Sequence, residues 1–215
     1  KEVGMSNPVL EKANRIHEAG LIAVENGEVV GFRWPGDLIQ RFNCSVRFDD
    51  SVLNLFRVLQ EVSDSALEGN VALLLAGVHY PLHCTLGEGL TSDGSVAPDE
   101  FIFDGGAHEL IGEEWSFSEL VVDKGNLLLA ASEIPNLVLT VRVSLEAFYT
   151  RMGLKPMPIK DLLHISLARI RSGGKEGIRT YAYGLLQMRN LVSRNPIRFR
   201  VNRIYTGSAK KLLLG

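Results

Sequence analysis

The sequence predicts an α+β fold whose two halves resemble each other, and three observations carry that expectation. A five-residue frame, "LHCTL" from Leu82 to Leu86, returns as "LHISL" from Leu163 to Leu167. Short strand-like apolar runs are interspersed with stretches whose apolar residues recur at helical spacing. Their order is strand, helix, frame, strands, helix, frame, helix, strand, roughly alike on either side of the midpoint. At 215 residues, 46% hydrophobic and 22% charged, the chain has an ordinary globular composition and can bury a substantial core.

Residues 1–36 read as an N-terminal accessory element. It comprises a short helix with Leu10, Ala13 and Ile16 or His17 on one stripe, then a hairpin around Asn26-Gly27. Residues 37–215 read as a single domain. Its first strand is "LIQRFNCSVRF". The helix after it, "DDSVLNLFRVLQEVSDSAL", opens on an Asp/Ser cap and spaces Val52, Leu55, Phe56, Leu59 and Val62 along one face. "VALLLAGVHYPLHCTLGEG" holds the first frame, between Pro81 and the Gly87/Gly89 pair expected to end it. "TSDGSVAPDE" and "FDGGAHE" have loop chemistry. "WSFSELVVDKGNLLLAA" predicts two strands joined at Lys124-Gly125, and "NLVLTVRV" a further apolar segment leading into the helix "SLEAFYTRMG". Beyond Pro156 and Pro158 come the second frame, a long helix through "GIRTYAYGLLQMRNLVS" and a final strand, "IRFRVNRIYTG".

Composition narrows the function classes. No apolar run approaches the roughly 20 residues of a membrane span, and the N-terminal stretch lacks a secretory-type apolar segment, so a cytoplasmic protein without membrane contact is expected. Cys44 and Cys84 are too few for a disulfide framework and predict reduced, buried thiols. A net charge of −2 provides no global positive field for a long polyanion. A nucleic-acid partner would therefore be a nucleotide or a short RNA end held locally.

In a strand, successive side chains point to opposite faces. Leu82, Cys84 and Leu86 then share one face with His83 and Thr85 on the other. Leu163, Ile165 and Leu167 likewise oppose His164 and Ser166. Each frame can thus seat an apolar face in a core while an imidazole and a hydroxyl project together. Histidine titrates near neutral pH, so one of a pair can take a proton while the other gives one. In-line phosphoryl displacement needs both, together with donors for the non-bridging oxygens. Two leucine-flanked copies among five histidines should arise by chance on the order of once in 10⁴ chains or fewer.

These frames, with the element order between them, resemble the two-histidine (2H) phosphoesterase superfamily. The resemblance runs from about "LIQRFNCSVRF" to the C-terminal strand and rests on "LHCTLGEG" and "LHISLAR". It implies a bilobal fold of pseudo-two-fold duplicated sheet lobes with flanking helices and a central V-shaped cleft. It also implies cyclic phosphodiesterase, RNA-end-processing or 2′,5′-phosphodiester chemistry on nucleotides or RNA ends, without metal or cofactor. By the same resemblance His83 and His164 become the acid/base pair, and Thr85 and Ser166 the phosphate-binding hydroxyls. "GEG" stands where many relatives carry a bulky aromatic, and the first thirty or so residues match nothing in the family. The rival reading is a non-catalytic module that binds a nucleotide or RNA end in the same cleft. A metal site fits worse, because Thr and Ser are poor zinc ligands and Cys84 points away.

Around the frames, Arg169 is a candidate for substrate binding, yet it lies at an odd offset from Ser166, so a regular strand would turn it away from the cleft and a bulge would be needed to bring it back. Arg198 and Arg200 share a face of the last strand. Tyr80 and Tyr149 are candidates for stacking on a base. His108 in "HELIG" lacks the second histidine of a zinc-protease motif, "RSGGKEG" is no phosphate loop, and no Gly-x-Ser-x-Gly occurs.

Overall fold

The computed structural model of the chain describes residues 7–29, 31–49, 53–158 and 161–214. Its elements are α1 (Pro8–Asn26), β1 (Arg41–Phe48), α2 (Leu53–Glu68), β2 (Ala72–Leu75), β3 (His83–Leu90), β4 (Glu114–Asp123) and β5 (Asn126–Ala131). They continue with α3 (Asn136–Arg151), β6 (Lys155–Pro156), β7 (His164–Ser172), α4 (Lys175–Arg194), β8 (Ile197–Ser208) and α5 (Ala209–Leu214). The fold class is therefore α+β, with one antiparallel sheet in the order β2-β7-β5-β4-β8-β1-β3-β6. The long β8 holds the sheet together: its start pairs with β4 and its remainder with β1. β3 and β7, second from opposite ends of that order, nevertheless approach each other, so the sheet curls. No helix among the described residues is long and apolar enough to cross a membrane.

The accessory segment differs from its expected shape. α1 runs for 19 residues, capped by the Asn7 side chain, which accepts from the N–H groups of Val9 and Leu10. Asn26-Gly27 is the end of this helix and no hairpin. Gly27 takes the left-handed φ of 70°, and Gly27 and Glu28 donate back to Val24 and Ala23. The residue pair that favours positive φ in a tight turn serves equally at a helix C-terminus, and apolar Leu21, Ala23 and Val24 carry the helix up to it. α1 packs on β4: a Cβ on Gly20 would lie 2.0 Å from the Val122 carbonyl oxygen, so glycine is what permits the approach. His17 beside it accepts from the Val122 N–H at 3.1 Å through Nδ1.

Elsewhere the apolar patterns are used largely as read. β1 buries Phe42, Cys44, Val46 and Phe48 against the core. α2 buries Leu55, Val58, Leu59, Val62 and Ala66 but leaves Phe56 exposed. The expected Asp/Ser cap of this helix, and Val52, lie outside the described residues, apart from Asp49. Full burial of each large apolar side chain contributes ~1.5–3 kcal/mol. The β4–β5 hairpin turns at Lys124 (φ 50°) and Gly125 (φ 93°), as "DKGN" predicts. "NLVLTVRV" is no separate segment, being the first half of α3. Val138, Val141, Leu145 and Tyr149 recur at helical spacing and are buried, and that packing overrides the strand propensity of the valines. Both cysteines are free and buried, and burial pushes each thiol up to about 12.

Candidate functional site

The two frames behave as alternation requires. Leu82, Cys84 and Leu86 are buried on one face, as are Leu163, Ile165 and Leu167. On the opposite face His83, Thr85, His164 and Ser166 all line a single cavity of about 230 Å³. The strands do not stop where the glycines suggested: β3 continues through Gly87 and Gly89 to Leu90. Those glycines make room for α3, since a Cβ on Gly89 would lie 2.8 Å from Tyr149 and one on Gly87 2.9 Å from Leu145.

Each motif strand carries a β-bulge immediately after its hydroxyl. In β3 the register passes from Thr85 opposite Ser45 to Gly87 opposite Cys44, skipping Leu86. In β7 it passes from Ser166 opposite Leu128 to Ala168 opposite Leu127, skipping Leu167. One extra residue reverses the facing of all that follow. Arg169 therefore turns into the cavity, and so does Glu88 at the matching offset in β3. Nothing in the sequence reading singled out Glu88.

Arg169 is held by aromatic rings. Its guanidinium carbon lies 4.5 Å from the ring centre of Phe32, 5.4 Å from Tyr80 and 5.7 Å from Trp34. Among the described residues it makes no ion pair, so its charge is directed to the cavity without a carboxylate to neutralise it. Tyr80 is buried, and its hydroxyl donates to the Ser166 carbonyl at 2.8 Å. It therefore braces β7 and Arg169 and offers no face to a base. Tyr149 belongs to a different place: it is 1% exposed, donates to the Gly87 carbonyl, and lines a larger cavity of about 490 Å³ beside Arg142, Leu139 and Met157. That cavity contains neither imidazole, so size does not locate the paired frames. Arg198 pairs with Glu114 on the surface, and neither it nor Arg200 lines the site.

The environment of His83 fixes its proton. Nδ1–H donates to the Pro81 carbonyl at 2.7 Å, and a carbonyl can only accept, so Nε2 carries the lone pair. The residue is 8% exposed. Burial, then the positive charges of Arg169 and Arg47, push its pKa down to about 4 against the opposing pull of the Pro81 bond. His83 is thus neutral at pH 7. Behind Thr85, Ser45 lies at 3.5 Å and contacts Asn43, whose amide donates to Glu88 at 3.0 Å. Glu88 also pairs with Arg41 at 3.3 Å, and Arg41 with Asp37 at 3.0 Å. This row was legible in "RFNCSVRF": Arg41, Asn43, Ser45 and Arg47 alternate with buried apolar residues and face the same way as His83 and Thr85. Trp34, Phe32 and Leu213 also line the cavity or hold Arg169, and no local pattern announced them. Among the described residues no cluster of three or more His, Cys, Asp or Glu is placed to hold a metal ion.

Comparison with known proteins leaves these residues to speak for themselves. No family model matches the chain, and no curated protein matches it.

Proposed function

We propose that the chain is a metal-independent phosphoesterase of the two-histidine kind, hydrolysing a 2′,3′-cyclic phosphate or a related nucleotide or RNA-end phosphodiester. The observation that carries this reading is the convergence of both imidazoles, both frame hydroxyls and the unneutralised Arg169 on one cavity. The element order supports the duplicated, bilobal architecture that goes with it. β1, α2, β2 and β3 correspond to β5, α3, β6 and β7. The short strands are exchanged reciprocally, β2 pairing with β7 and β6 with β3.

In this mechanism His83 is the general base, because its Nδ1 proton is committed to Pro81 and its Nε2 is free to accept. Nε2 takes a proton from water as the water oxygen bonds to phosphorus. One ring P–O bond breaks, and the departing oxygen receives its proton from His164, leaving a phosphomonoester and a free hydroxyl. Thr85 and Ser166 donate to the non-bridging oxygens, and Arg169 balances the charge that grows on them. The acid and the base each contribute ~10²–10⁴-fold.

The test is hydrolysis of the four nucleoside 2′,3′-cyclic monophosphates with chelator present. Turnover that is lost in His83→Ala and in His164→Ala supports the reading. Tight binding without turnover would make the chain a nucleotide or RNA-end binding module, and chelator sensitivity would replace the mechanism with a metal-dependent one.

A further inference from the structure

The acid/base reading leaves part of the cavity without a role. Trp34, Pro35, Leu38, Pro158 and Leu213 line it and, apart from the contact of Trp34 with Arg169, take no part in the phosphoryl chemistry. Building on the phosphoesterase reading of the adjoining side chains, we infer that this part of the cavity is a slot for a nucleobase, with Trp34 as its stacking wall.

Trp34 is held in place rather than loosely draped over the site. Gly31 passes so close to β7 that a Cβ there would lie 2.2 Å from the Arg171 carbonyl oxygen. The next residue, Phe32, donates its N–H to the Ile170 carbonyl and lays its ring on Arg169. Trp34 then meets Phe32 edge-on at 4.9 Å and Tyr80 at 6.4 Å, and Leu38 anchors the following turn in the core. A fixed aromatic wall binds a flat partner without the cost of ordering itself first.

The chemistry of the remaining wall selects the partner. Prolines 35 and 158 and leucines 38 and 213 are apolar, yet Glu88 and Arg41 line the same cavity as an ion pair. An acyl chain would cover that pair without satisfying it. A sugar would press its hydroxyls against the prolines and leucines, whose side chains offer them no partner. A nucleobase offers both a π-face and an edge of N–H donors and acceptors, and each Glu88 oxygen retains a second acceptor site beyond its contact with Asn43 or Arg41. At about 230 Å³, below the roughly 300–1,000 Å³ of pockets for drug-sized ligands, the cavity suits one terminal nucleotide.

Two measurements test the slot. The first is the ratio of kcat/KM for adenosine 2′,3′-cyclic phosphate to that for glycerol 1,2-cyclic phosphate, which shares the reacting ring and has no base. Trp34→Ala should lower this ratio ~10-fold or more, the scale of one base stack, and Trp34→Phe should restore most of it. A ratio unchanged by Trp34→Ala overturns the slot, whatever happens to the absolute rates. The second uses the two tryptophans of the chain. Trp115 is buried with its N–H on Glu113, so quenching by a 3′-nucleotide but not by inorganic phosphate reports Trp34. Absence of quenching by a saturating nucleotide overturns the slot. If neither cyclic substrate turns over but quenching occurs, the phosphoesterase reading fails and the slot stands.

Discussion

Replacing Arg169 with glutamine should raise the pKa of His83. An imidazole held at about 4 instead of 6.5 has its protonated form disfavoured by roughly 3 kcal/mol, at about 1.4 kcal/mol per tenfold. Burial is the larger cause and Arg169 the next that lowers it, so Arg169→Gln should recover only part of the interval. The folded value lies below the unfolded one, so the unfolded chain takes up the proton first as pH falls. Stability carried by neutral His83 is therefore complete above about pH 6.5 and drains away between 6.5 and about 4. The direct assay is the titration of the His83 ring by NMR in protein carrying labelled histidine, with His83→Gln providing the assignment. The wild-type midpoint should fall near 4, rise in Arg169→Gln, and rise again when inorganic phosphate neutralises the cavity. In kinetics the acid limb of kcat/KM, which reports the free protein, should lie below that of kcat. A wild-type midpoint near 6.5, or one that falls when phosphate binds, would refute the assignment of His83 as the pre-set base.

Thr85→Val and Ser166→Ala should each lower kcat by about tenfold or more while changing KM less, because in the proposed mechanism their bonds strengthen as charge builds on the non-bridging oxygens; equal effects in steady-state assays would make them ground-state contacts. Glu88→Gln and Arg169→Gln should shift the affinity for inorganic phosphate in opposite directions, roughly threefold tighter and tenfold weaker, by calorimetry at low salt. A common direction would mean that the cavity's charge does not govern anion binding. Gly20→Ala should cost roughly 2 kcal/mol or more in urea unfolding, since the added methyl meets the rigid Val122 backbone and not a movable side chain. A loss below about 0.5 kcal/mol would show that α1 does not ride on β4 as described.

The frames were legible because period-two alternation states a strand's two faces outright: Leu82, Cys84 and Leu86 could not share a face with His83 and Thr85. The same rule made the β4–β5 hairpin readable from Lys124-Gly125. What escaped was whatever depends on a partner distant in the chain. The bulges at Leu86 and Leu167 are set by pairing with β1 and β5, and no residue type demands them, so the inward turn of Glu88 had no sequence signature. Gly87 and Gly89 looked like a strand terminus because their reason is Tyr149, some sixty positions on. Asn26-Gly27 suits a hairpin and a helix cap alike, and only the packing of α1 on β4 decides between them. Trp34 reaches the site because Gly31 and Phe32 dock on β7, a contact across nearly 140 positions.

The two frames are interchangeable as text, yet their surroundings differ. His83 follows Pro81, whose carbonyl captures one ring proton, and it sits deep beside two guanidinium groups. His164 is half-buried on the strand that carries Arg169. The residue that each bulge turns inward differs in sign, Glu88 on one strand and Arg169 on the other. Glu88 is occupied by Arg41 and Asn43, whereas Arg169 is packed among rings that leave its charge intact. In the proposed mechanism an anion is drawn toward Arg169, while the neutral ring of His83 keeps a lone pair for water. In that mechanism, one proline carbonyl together with one arginine that pairs with no carboxylate among the described residues sets which of the two imidazoles gives the proton and which takes it.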